Sequence, residues 1–302
     1  LLPALKGTGV FVTKAIVGII GGSGVYELPG LEDIREEWVA TPWGEPSDPL
    51  RFGRIGKTEA VFLPRHGRGH KFSPSGINYR ANIDALKRAG VTDIVSVSAC
   101  GSFKPELYPG LFVLVDQFMD RTFARQSSFF GNGCVAHVSM AHPVAPFLQQ
   151  RIVDAAKAEN IAFVNGGTYV CIEGPQFSSL AESLTYKAAG CDVIGMTAMP
   201  EAKLAREAEI CYATIAMVTD FDCWHPKHDN VDVASVIKVV EAIAGNAAKL
   251  LARLLRDFPA EHEPCPIGSD RALDYALLTP APARDGDLMK KLEAIMQRVN
   301  RS

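Results

Sequence analysis

No block of basic residues occurs in this 302-residue chain: 31 basic and 34 acidic side chains are interspersed, for a net charge of −3. A nucleic-acid surface needs clustered cationic charge, so that class is set aside. No apolar run approaches the about 18 residues of a membrane span, and residues 1–14 lack the long apolar stretch of a signal peptide. Those first residues, opening on Leu1-Leu2-Pro3, read as an extension or an expression remnant. Cysteines at 100, 134, 171, 191, 211, 223 and 265 are scattered and odd in number, without CxxC or Cys/His ligand spacing. The expectation is reduced thiols in a cytosolic protein, with neither a disulfide frame nor a zinc site. GxGxxG is missing, and no Lys-Ser/Thr follows the one glycine-rich turn, which weighs against a dinucleotide oxidoreductase. Repeats and low-complexity tracts do not stand out.

What remains is a chain that is 47% hydrophobic, enough for a large core. Short apolar runs at 15–20, 59–63, 93–98, 111–115, 167–172, 192–196 and 211–219 predict buried strands. Helical patterns at 76–89, 144–158, 179–189 and 233–256 fall between some of them. The long last one carries Val236, Val239, Ile243, Leu250, Leu251 and Leu254 inward. Alternating strands and helices predict an α/β fold, a mixed central sheet flanked by helices. Residues 15–257 are expected to form the domain. Residues 258–302 read as an extension, a loose connector over 258–287 and then a terminal helix through Leu288, Leu292, Ile295 and Met296.

The chemistry-bearing residues gather at the ends of predicted strands, where open α/β sheets place ligand sites. Asp220-Phe221-Asp222 ends the run Ile215-Ala216-Met217-Val218. If the strand stays extended through residue 222, both acids share a face. Two adjacent acids in a partly dry pocket resist ionising together, giving a donor beside an acceptor. That pair complements N7 and N6 of adenine. The competing reading is two loop acids capping a helix or facing solvent.

Gly21-Gly22-Ser23-Gly24 offers backbone N–H groups and a hydroxyl to an anion, or simply makes a tight turn. Arg65 and His66 end the next strand, where an arginine fork and a second donor suit phosphate oxygens; a solvated basic turn is the alternative. Asn78 and Tyr79 read as structural. Ser98 supplies a hydroxyl at the third strand end, while Cys100 reads as a small core residue. Glu173 to Ser178 places an acid, an aromatic and a hydroxyl on one turn, with Phe177 either stacked on a flat base or in the core. Met196 lies against a sugar face or fills a gap, and Glu201 sits four residues beyond the neighbouring Thr197.

GIIGGSG (18–24), TPWGEPSD (41–48), RHGRGH (65–70), NYRANI (78–83), SACGS (98–102), DQFMDRT (116–122), EGPQFSS (173–179), MTAMPE (196–201) and TDFDCW (219–224) occur in this order. Together they resemble the purine nucleoside phosphorylase superfamily, in its trimeric 5′-methylthioadenosine phosphorylase branch, from about Val17 to Arg256. The resemblance implies that inorganic phosphate displaces adenine from 5′-methylthioadenosine, giving 5-methylthioribose 1-phosphate, with no metal or other cofactor. By similarity, Ser23, Arg65, His66, Ser98, the Ala99 backbone and Thr197 hold phosphate, and Met196 contacts ribose. Phe177 and Ser178 line the base, Asp220 donates a proton to N7, and Asp222 positions the base or shares that proton.

The same likeness makes His137 a residue offered from a neighbouring subunit toward the 5′ side, in a homotrimer or a pair of trimers. Its partners are small molecules, a nucleoside and phosphate, with no nucleic acid or membrane. An acid at 220 suits a 6-aminopurine, where 6-oxopurine branches carry an amide. Val233 and Val236 are read either as an apolar wall for a methylthio group or as helix core, with His225 and His228 close in sequence. Ser23 and Ser98 stand where relatives carry Thr, which keeps the hydroxyl and loses a methyl. Beyond about residue 257 the likeness fades; Leu277 or Leu278 is a candidate for closing the 5′ pocket. The rival readings are a phosphorylase for methylthioinosine or other purine nucleosides, and a nucleoside-binding protein without catalysis.

Overall fold

The structure, a computed structural model, describes residues 13–22, 28–226 and 231–301. Eleven strands appear among them: β1 (Ile16–Gly21), β2 (Glu32–Glu37), β3 (Leu50–Ile55), β4 (Thr58–Pro64), β5 (Asp93–Ser102), β6 (Phe112–Val115), β7 (Gln117–Arg121), β8 (Phe163–Asn165), β9 (Thr168–Ile172), β10 (Val193–Gly195) and β11 (Cys211–Asp220). The α-helices are α1 (Tyr79–Arg88), α2 (Pro146–Ala158), α3 (Leu180–Ala188), α4 (Ala198–Glu207), α5 (Val233–Asp257), α6 (Gly286–Lys291) and α7 (Gln297–Arg301).

All strands join one mixed sheet, in the order β2-β3-β4-β1-β5-β10-β9-β7, with β11 paired to β5 and β6, and β6 also to β8. The fold class is therefore α/β with a mixed central sheet. β1 runs parallel to β4 and β5, and β11 runs parallel to β5, so the carboxyl ends of four central strands open on the same side. These four read as near-continuous apolar runs because helices cover both their faces. One face packs α1 and α4 against Leu63, Ile94 and Tyr212. The other packs α2 and the second half of α5 against Val17, Val95 and Ile215. In α5, Leu250, Leu251, Leu254 and Leu255 are fully covered; each contributes about 1.5–3 kcal/mol by leaving water. Its first turns differ: Val233 is 62% exposed, and Val236 and Val239 are only half-buried.

β2, β3, β7, β8 and α4 were not expected from the sequence, and the terminal helix takes another form. β2 carries Glu32, Asp33, Arg35, Glu36 and Glu37 and is exposed throughout, so no apolar alternation marks it. Pairing with β3 and charge contacts from Arg54 to Glu32 and Asp33 hold it. α4 contains Pro200 and is buried along almost its whole length, so neither a proline-free window nor an amphipathic stripe announces it. The terminal helix forms as two short pieces, α6 and α7, joined through a turn at 292–296. The segment before it is not loose: Leu273 and Ala276, with Leu292, Ile295 and Met296, are buried in the cluster shared with α1 and α4. No helix of the described residues is long and apolar enough to cross a membrane.

Candidate active site

Register places the predicted strand ends together. Gly21 pairs with Pro64, and the Arg65 N–H donates to the Gly21 carbonyl at 3.0 Å, so β1 and β4 end side by side. Ser23 itself lies outside the described residues, as does His228. Arg65 is 1% exposed. Its Nε and Nη2 donate to the two Glu201 carboxylate oxygens at 2.8 and 3.1 Å; Nη2 also donates to Ser96 Oγ at 2.7 Å, and Nη1 to the Val97 carbonyl at 3.1 Å. Burial works against this charge, but the Coulombic pull and hydrogen bonds of Glu201 outweigh it, so the guanidinium is held firmly protonated. The fork expected to face an anion thus faces Glu201. What Arg65 retains for an anion near the strand ends is its positive charge.

His66 is neutral. Its Nδ1 lies 2.9 Å from the Phe72 carbonyl and its ring stacks on His70 at 4.1 Å. Burial lowers its pKa to about 4, and the Arg65 and His70 charges act in the same direction. A carbonyl only accepts, so Nδ1 carries the hydrogen and Nε2 presents a lone pair. The expected second donor to phosphate is therefore an acceptor in this state.

Ser98, inside β5, puts its Oγ 3.2 Å from both Thr197 Oγ1 and the Tyr169 hydroxyl, and 3.1 Å from the Ala99 carbonyl. Thr197 stands at the start of α4, yet its hydroxyl meets Ser98 and does not cap the helix. Tyr169 is fully buried in β9. No motif surrounds it, and only the pairing of β9 with β10 could have pointed to it. Glu201 was legible as an acid near Thr197, but not as the partner of Arg65.

Asp220 and Asp222 meet differently from expectation. β11 ends at Asp220, its register to β5 slips between Val218 and Asp220, and Asp222 turns with φ +49°. The acids therefore do not share a face of a continuing strand. A tight turn brings them together, with the Asp222 N–H donating to Asp220 Oδ1 at 2.8 Å. Thr219 Oγ1 donates to Asp220 Oδ2 at 2.8 Å. Burial raises both carboxyl pKa values, and Asp220 further raises that of Asp222. Asp222 Oδ2 and Ser178 Oγ are buried with no partner among the described residues. Asp220 pairs with Gly101, where a Cβ would stand 2.7 Å from Asp220 Oδ1; only a bare backbone admits the acid there. β5 thus carries Ser98 and, three residues on, the seat of Asp220, a separation of about 10 Å at about 3.3 Å per residue.

Beside this turn, Phe177, Ser178, Leu180, Cys223 and Val231 line a cleft of about 280 Å³. The Cys223 thiol contacts the Ser178 carbonyl, tying the 173–178 turn to the acids. Phe177 is 44% exposed, so it is not core. Just before α5, Val231 lines this cleft, and Val233 and Val236 are not among its lining residues. His137 is exposed; its N–H donates to the Ala276 carbonyl, and no described contact ties its ring to the strand-end cluster. Leu277 bridges Ala136 beside it. Met196 follows β10 and its carbonyl is held by Arg125, a residue the sequence reading passed over.

The Phosphorylase superfamily profile matches residues 16–256. An S-methyl-5′-thioadenosine phosphorylase of Bradyrhizobium diazoefficiens is 68% identical over 290 residues, covering 96% of this chain and 100% of the relative. Among solved structures, a methylthioadenosine phosphorylase from an antarctic soil metagenomic library superposes with a TM-score of 0.85 at 45% identity, covering 93% of this chain and 99% of the other. A mutant of the Schistosoma mansoni adenosine/methylthioadenosine phosphorylase, solved with methylthioadenosine, has a TM-score of 0.74 at 40% identity, covering 80% of this chain and 91% of the other.

Proposed function

The chain belongs to the phosphorylase superfamily, and from that membership we propose that it cleaves 5′-methylthioadenosine with inorganic phosphate, releasing adenine and 5-methylthioribose 1-phosphate. The observation that carries this reading is the layout along β5: hydroxyls and a cation at Ser98, Thr197 and Arg65, and an acid with a raised pKa seated three residues further along, a strand rise of about 10 Å. The ribosyl group lies between them.

Phosphate is held by Ser98, the Ala99 backbone, Thr197 and Ser23, and by the charge of Arg65. His66 contributes as an acceptor, its Nε2 taking the P–O–H of hydrogen phosphate. As the glycosidic bond loosens, the sugar becomes cation-like and the phosphate charge stabilises it before bonding to C1′. Asp220, protonated, donates to N7, so adenine leaves neutral. Asp222 and Ser178, each with a buried oxygen open to a partner, position the base, and Phe177 stacks on it. Met196 meets the ribose. The apolar cleft edge at Leu180 and Val231 suits a methylthio group better than a hydroxyl.

Tyr275 and Leu278, 96% and 67% exposed beside His137, support a homotrimer in which His137 of one subunit faces the 5′ side of the next. In a reducing cytoplasm the seven free cysteines persist as thiols, and the reaction returns adenine and the sugar phosphate to purine and methionine salvage. The deciding experiment is adenine release from methylthioadenosine, adenosine, inosine and methylthioinosine, each with and without phosphate. Phosphate-dependent release led by methylthioadenosine is expected; a preference for either inosine defeats the adenine assignment, and binding without cleavage defeats catalysis.

A further inference from the structure

Arg125 follows β7, its side chain is 1% exposed, and the mechanism above gives it no part. Its Nη1 donates to the carbonyls of Met196 and Met199 at 2.7 and 2.6 Å and lies 3.2 Å from the Tyr79 hydroxyl. Nη2 donates to the carbonyls of Glu173 and Ile172 at 2.7 and 3.3 Å, and Nε faces the Glu173 carboxylate at 3.4 Å. Four backbone carbonyls from two loops therefore converge on one guanidinium. Without a cation between them, these dipoles would oppose one another in a dry space.

The two loops carry the nucleoside residues: one leads to Phe177 and Ser178, the other begins at Met196. They also touch directly. Gly174 sits at φ +66°, and a Cβ there would meet Met196 Sδ at 2.5 Å, so backbone lies flat against the Met196 side chain. Glu173 is in turn anchored, accepting from the Phe123 and Ala124 N–H groups at 2.7 and 3.3 Å and from the Ser75 hydroxyl. The phosphate side is braced mainly elsewhere, Arg65 by Glu201 and Ser98 by Tyr169, and only Thr197 of it lies within the 196–199 segment.

We propose that Arg125 is a positioning residue for the nucleoside: it clamps the 172–174 and 196–199 loops together and sets the gap between Met196 and the Phe177–Ser178 turn. A planar five-donor fork serves carbonyls on opposite sides at once, which a lysine ammonium does not reproduce. The inference rests on the reaction proposed above, so the experiment starts with the wild-type protein. If that protein releases no adenine from methylthioadenosine in phosphate, the reaction reading itself falls. With wild-type activity in hand, Arg125→Lys and Arg125→Ala are compared by steady-state kinetics in both substrates. Loss of one or two charge-assisted hydrogen bonds to the loops predicts a rise of about tenfold or more in KM for methylthioadenosine. The phosphate KM should rise by a clearly smaller factor, because Thr197 alone of the phosphate residues lies in the clamped segment. Two results overturn the proposal: both KM values moving together, or neither moving while only kcat drops with the folded fraction. Should the alanine variant fail to fold, the lysine variant alone decides by the same split.

Discussion

Ser98 Oγ and Thr197 Oγ1 stand 3.2 Å apart although 99 residues separate them in sequence, one in the middle of β5 and the other at the mouth of α4. Two hydroxyls at that distance can share one hydrogen and point the other at a common acceptor. Ser98→Ala and Thr197→Ala should each raise the phosphate KM by about 10–100-fold, as expected for a hydrogen bond to a charged group. The double variant should fall short of the product, because the two act as a unit. Additive losses in a double-mutant cycle would separate the two hydroxyls.

Asp220 donates only while protonated. Burial raises its pKa, so kcat should decline as pH climbs through that raised value. Asp220→Asn should lower kcat by about 10²–10⁴-fold, flatten that decline, and leave the unfolding midpoint little changed. Near-wild-type turnover in the variant would remove Asp220 from the mechanism.

Glu201 and Arg65 form a bidentate pair with both side chains only 2% exposed. Glu201→Gln leaves the guanidinium charged and unpaired in the interior, which should cost about 3–5 kcal/mol of stability. Urea titration measures this directly; a loss below about 1 kcal/mol would mean that Ser96 and the backbone carbonyls suffice to hold the charge.

Glu207 on α4 accepts from Ser128 Oγ and the Phe129 N–H, both at 2.7 Å, and burial pushes its pKa up to about 7. Because the folded pKa is raised, the neutral form is favoured in the native state. Its stabilising contribution is complete below about pH 4.5 and disappears as pH rises toward 7, a span worth about 3 kcal/mol. Glu207→Gln should remove that slope from stability measured across pH 4.5–7, and an unaltered slope would assign it to other groups.

The sheet was largely legible because its central strands are buried on both faces and carry unbroken apolar runs. The edges were not. β2 is charged and exposed, and its pairing partner, not its own pattern, makes it a strand. The site's location followed from topology, since parallel neighbours bring Pro64, Asp220 and the second half of β5, with Ser98, to one side of the sheet. What stayed hidden were partners distant in sequence. Neither Tyr169 nor Arg125 has a local sequence signal for the contacts it makes. Asp222 was misplaced because a bulge and a left-handed turn leave no trace in apolar periodicity.

Ser98 and the glycine that seats Asp220 occupy a single strand, and this has a consequence for how specificity can evolve. Sliding a strand alters its reach in steps of about 3.3 Å and turns every side chain over at each step. The span between oxyanion and acid is therefore a ruled distance that cannot be adjusted by degrees. Substrates of other shapes would have to be admitted by remodelling the walls at Leu180 and Val231, with the ruler left alone.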